Sequence, residues 1–239
     1  MALTERCFAL ALALLVGAGV GAGEWTGPKG PAQGGAAGHR AHAEPAAEGA
    51  IREFIVDSQA SELRIVVLPA GLFARMGHPH VIGGPVLDGR VLLADPVTRS
   101  EVELSIEVAR FELDRPEWLE AEGFDPDMDE EDIADTRRNM LGEDVLDADT
   151  YPEVRIRSTD ISGSESEAEV TVKIRLRGRA RELTVPVELE LEADCLIATG
   201  RFELVQSEFG IRPFSAAAGL LRVADELDVR FRIVGRTGD

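Results

Sequence analysis

The sequence predicts a mainly β protein, an antiparallel barrel of about eight strands carrying one helical, acidic insertion. Residues 101–108 and 169–192 place an aliphatic side chain at nearly every second position, with a charged or polar one between. That is the period of a strand with one dry and one wet face. Segments of this kind recur through residues 51–236 with short, turn-forming connections, as in an up-and-down sheet. Residues 115–150 break the pattern with a run of acids and a helical period. Periodicity alone leaves a sandwich open beside the barrel.

From the N-terminus, residues 8–20 are apolar behind Arg6 and are followed by Gly21 and Ala22; this predicts a secretory signal peptide over residues 1–22. The run is shorter than the ~20 residues of a membrane span, so no stable membrane insertion is expected after cleavage. Cys7 precedes the run, where it cannot serve as a lipoprotein anchor. Residues 23–50 are rich in Gly, Ala and Pro without apolar periodicity and read as a flexible linker. Residues 51–236 suffice for one domain with a sizeable core. Export would place it in the periplasm or outside the cell. Loss of Cys7 leaves Cys195, so no intramolecular disulfide is expected.

Within the domain, residues 54–57 and 63–68 read as a first strand broken near Ser58, and 72–76 have room for one helical turn before 80–82 resume extended structure. Residues 86–93 and 102–113 read as a hairpin turning through Asp95 and Pro96. On the dry side Val108 is followed by Phe111 and Leu113, a change of phase near Ala109 that predicts a β-bulge. A helix is expected over 129–141, with acids in its first turns, Arg137 and Arg138 near its end, and Gly142 as the stop. Residues 153–158, 168–177, 182–192, 196–206 and 223–234 read as further strands. The dry faces make Val102, Leu104, Ile106, Val170, Val172, Ile174, Leu183, Val185 and Leu189 the candidates to line a ligand.

The formal net charge of −19 argues against nucleic-acid binding and against general attraction to anionic lipid, because phosphate contacts need clustered Lys and Arg. No GxSxG, HExxH, phosphate-cradling or dinucleotide motif occurs, so neither an enzyme nor a cofactor is expected. Asp125, Asp127 and Asp129 begin like a calcium loop, but Glu130 stands where that loop needs Gly and Thr136 where it needs Glu; a solvated acidic loop is the better reading. His78 and His80 share one side of an extended segment. They can make structural hydrogen bonds at a barrel rim, anchor the polar end of a ligand or share a metal, although a tight metal site needs three or four ligands. Arg212, between Ile211 and Pro213, is a further candidate anchor, with a surface role as its alternative.

Several short signatures resemble the YceI-like family. Tyr151, Pro152 and Glu153 ahead of Val154, Ile156 and Ser158 look like its Tyr-Pro strand opening. Gly178 followed by Arg181, Glu182, Leu183, Thr184, Val185 and Pro186 is similar to its Gly turn before a Thr-Val-Pro strand, and Phe209, Gly210 and Ile211 match its late Phe-Gly-Ile element. Val56, Asp57 and Ser61 resemble its opening strand, with Ala60 where the family usually carries His. The resemblance implies a lipocalin-like barrel that holds an isoprenoid or other long apolar lipid without catalysis. Two alternatives remain at this point: a solidly packed module whose acidic 115–150 insertion meets a partner, and a metal-dependent site at His78 and His80.

Overall fold

The computed structural model describes residue 49 and residues 51–238. The signal peptide expected over 1–22 and all but one residue of the linker expected over 23–50 lie outside the described residues. Eight antiparallel strand positions close in sequential order. The first is shared by β1 (Arg52–Val56) and β2 (Glu62–Val67). After the two-residue β3 (Pro69–Ala70), the second is shared by β4 (His80–Gly84) and β5 (Leu87–Leu93), and the third by β6 (Glu101–Glu107) and β7 (Glu112–Leu113). β8 (Glu153–Gly163), β9 (Glu167–Leu176), β10 (Arg179–Leu191) and β11 (Cys195–Val205) follow. After β12 (Ser215–Ala216) and β13 (Leu221–Val223), β14 (Glu226–Thr237) closes the barrel by pairing with both β1 and β2. The sandwich alternative is thereby removed.

The expected alternation holds where the wall is regular. In β9, Ala168, Val170, Val172, Ile174 and Leu176 are buried, while Glu167, Glu169, Lys173 and Arg175 are exposed. The β9–β10 hairpin turns through Arg177 and Gly178, both at positive φ (49° and 71°), the requirement of a two-residue type I′ loop. A Cβ at Gly178 would also stand 2.9 Å from the Tyr151 ring, so a larger residue would displace Tyr151 as well as strain the turn.

The bulge expected near Ala109 is instead a 3-10 turn, Val108–Arg110. Phe111 N–H donates to Val108 O at 3.3 Å, and three residues per turn put Val108 and Phe111 on the same inner side. Arg110 holds the turn in place by donating to Asp88 and to the Pro85 carbonyl. A bulge does occur at Ser158–Asp160 in β8; it shifts the inner face from Val154 and Ile156 to Ile161.

The two ends of the barrel differ. At one end β5–β6, β8–β9 and β10–β11 are joined by short turns. There Phe54, Val91 and Leu196 are buried together, with Leu93, Val102 and Leu189 packed on them. At the other end lie residues 68–79, 114–152 and 206–225. The second of these contains α1 (Pro116–Ala121) and α2 (Glu130–Leu141). In α1, Trp118 and Leu119 pack with Val81, and just beyond it Glu122 accepts from Arg230 at 2.8 Å. Asp129 caps α2 by accepting from Glu131 N–H at 2.8 Å, which satisfies one of the unpaired amides of the first turn. The helix then turns Met140 inward against the barrel core.

Candidate functional site

A cavity of about 380 Å³ occupies the barrel. That lies inside the ~300–1,000 Å³ range of ligand pockets and far exceeds the water-sized voids of a close-packed core. Its wall runs from Val97 and Ser100 at the short-turn end to Phe214 and Val223 at the opposite mouth. Val102, Leu104, Ile106, Val170, Val172, Ile174, Val185 and Leu189 all stand on this wall. Leu183 is half-buried and packs against the surrounding core without lining the hollow.

Five lining residues are polar: His80, Ser100, Thr136, Asn139 and Gln206. Ser100 sits at the short-turn end, where its hydroxyl accepts from Ala94 N–H at 3.0 Å and pins the turn. The other four belong to the mouth. Gln206 is buried, and its Nε2 donates to Ala224 O at 2.8 Å. Thr136 and Asn139 are three residues apart on α2, hence on one helical face. His80 Nδ1 lies 2.8 Å from Asp114 Oδ2. Asp114 Oδ1 also accepts from Val81 N–H at 2.8 Å, and the Asp114 side chain is fully buried. Its φ of 52° suits Asp better than most residues. That pairing fixes the ring and leaves Nε2 for another partner.

The remaining candidates are elsewhere. His78 is exposed and does not line the cavity. Arg212 is exposed and borders a separate polar depression with Asp144, Asp147, Arg177 and Arg179. Among the described residues no group of three or more His, Cys, Asp or Glu side chains is arranged to hold a metal. Asp125 accepts from Asp127 N–H at 3.0 Å, a local turn bond.

Sequence reasoning missed Asp114, Thr136, Asn139 and Gln206. Asp114 follows the alternating Phe111, Glu112 and Leu113 and precedes Arg115 and Pro116, which reads as an ordinary helix approach. Its pairing with His80 is purely tertiary.

A closed, sequentially wound barrel around an apolar hollow, with polar groups gathered at one mouth, defines a lipocalin-like barrel with room for an apolar ligand. The sequence matches the YceI-like domain family over residues 55–235, and the chain belongs to that family. Among solved structures it is similar to BcnA of Burkholderia cenocepacia, at 21% identity and a TM-score of 0.56, covering 75% of this chain and 98% of that one. It is also similar to a polyisoprenoid binding domain from Saccharophagus degradans implicated in plant cell wall breakdown, at 13% identity and a TM-score of 0.52, covering 77% and 98%. Identities this low speak for the shared fold. No curated protein matches the sequence significantly.

Proposed function

We propose that this protein is an exported, non-enzymatic carrier of one isoprenoid or similarly long apolar lipid, held lengthwise in the barrel. The observation that carries the reading is the continuous apolar hollow of about 380 Å³. Each methylene buried contributes ~0.8 kcal/mol. About ten of them therefore supply the ~8 kcal/mol of a micromolar complex, before the cost of ordering the chain is subtracted. The polar residues of the mouth suit the lipid's head, with His80 held by Asp114 as the anchor, while the tail runs toward Val97. Binding of polyisoprenoid by the Saccharophagus domain agrees with this chemistry. Export rests on the apolar N-terminal run.

The hollow interior, to which the acidic insertion contributes Thr136, Asn139 and Met140, supports this reading over a solidly packed module. Native mass spectrometry of the protein from its own host, followed by organic extraction, is the test. One long-chain lipid per chain is expected. Protein that is always empty and takes up no polyprenol in solution would refute the reading.

A further inference from the structure

Around the mouth, β3, β12 and β13 form a separate three-stranded sheet, joined to the 3-10 turn Ala74–Met76. Phe73 N–H donates to Leu220 O at 2.8 Å, Val223 N–H to Phe214 O at 2.9 Å, and Ala224 N–H to Leu68 O at 2.8 Å. These bonds gather Leu68, Leu72, Phe73, Met76, Phe214 and Leu220 on one lip. All six are exposed, Leu72 at 80% and Met76 at 74%. They make up most of the large apolar side chains exposed among the described residues, and a concentration of that kind marks an interaction site. Phe214 also lines the cavity, so the lip continues into the hollow.

Charge on the lip opposes that of the whole. The chain carries −19, yet residues 63–87 and 209–224 contain no Asp or Glu and include Arg64, Arg75, Arg212 and Arg222. Arg64 is committed to Glu62 and Glu122, whereas Arg75 and Arg222 are exposed on the elements that carry the apolar lip.

We propose that the lip docks on the surface of an anionic lipid bilayer. Leu72, Phe73 and Met76 enter the headgroup layer, and Arg75 and Arg222 meet lipid phosphates. The acidic remainder of the barrel is repelled by the same surface, so the charge distribution turns the mouth toward the membrane and the cavity opens onto it. Docking stands on the lip alone. Its use in lipid transfer rests on the carrier reading.

The test is flotation of the full chain with vesicles of equal parts phosphatidylglycerol and phosphatidylethanolamine, and with phosphatidylcholine vesicles. Binding to the anionic vesicles is expected, with much less to the neutral ones, and it weakens as salt is raised. Leu72→Ser/Met76→Ser and Arg75→Glu/Arg222→Glu should each reduce it at least about tenfold. Unchanged circular dichroism and unchanged uptake of polyprenol from detergent would show that each variant is folded and hollow. No flotation of the wild-type chain, or flotation indifferent to both double variants, overturns the proposal. Self-association that depends on Leu72 and Met76 without vesicle binding also overturns it, and identifies the lip as a contact between copies. Polyprenol uptake is read separately, so loss of docking and loss of lipid carriage remain distinguishable.

Discussion

The two ends of the barrel are built from different material. The short-turn end is sealed by the strands' own side chains, with Phe54 and Leu196 almost wholly buried against Val91. The mouth is covered by inserted segments: α2, residues 206–225 and the β3–β12–β13 sheet. A seal made by barrel strands opens only when the barrel itself is disrupted. A cover of appended segments can shift while the hydrogen-bonded ladder stays intact. Damage to the seal is therefore expected to cost more stability than damage to the cover.

The largest effect is expected at the sealed end. Phe54→Ala should cost about 3–5 kcal/mol, read as a lower urea midpoint with an unchanged m-value; a loss below about 1 kcal/mol would show that this end is not the anchor of the fold. Next, Val172→Trp places an indole inside the hollow. If one lipid threads the barrel from mouth to seal, this variant should lose at least about tenfold in polyprenol affinity while keeping its β circular dichroism spectrum. Unimpaired binding would place the lipid elsewhere.

At the mouth, His80→Phe should lower affinity for a polyprenol by roughly fivefold, about 1 kcal/mol, and leave a hydrocarbon of equal length unaffected. The difference between the two ligands is the readout, because simple destabilisation would weaken both alike. Equal losses would remove His80 as an anchor.

The smallest effect concerns acid stability. The hydrogen bond from Arg236 holds the Asp57 carboxyl below its usual range, against the opposing effect of burial. Burial pushes the Asp228 carboxyl up, but hydrogen bonds from Arg201 and Arg230 outweigh it and the net direction is down. A depressed folded-state pKa stabilises above the unfolded value near 3.8, and the contribution is lost as pH falls through the folded value. Urea midpoints should stay level with respect to these two groups from neutrality to about pH 4 and fall below it. Because Asp57 and Arg236 are each about a third exposed, Asp57→Asn should cost no more than about 1 kcal/mol at pH 7 and flatten part of that acid limb. An acid limb as steep as that of the wild type would exclude Asp57 from it.

The wall was legible because alternation is a local property. Val170, Val172 and Ile174 face inward for the same reason that Glu169 and Lys173 face out. The start of α2 was legible from its acids, with Asp129 serving as the cap. The kinks were less so: the phase change at Ala109 was visible, but the partners that hold Arg110 in the turn, Asp88 and the Pro85 carbonyl, come from a neighbouring strand position. The mouth was hardest to read. Thr136 and Asn139 lie on a helix whose sequence is dominated by exposed charge, and only its packing over the barrel turns them toward the hollow. His78 and His80 looked equivalent in sequence, and the buried Asp114 separates their roles.

The closing seam also sets an order of events. β1 and β14 pair Phe54 with Thr237, joining opposite ends of the described chain, and such distant contacts are expensive to form early in folding. Until they form there is no inside to fill. Without β14 the strands form only an open sheet, so a ligand can be enclosed only once this seam has formed, and removal of β14 would abolish polyprenol uptake while sparing residues 68–79, 114–152 and 206–225 of the mouth.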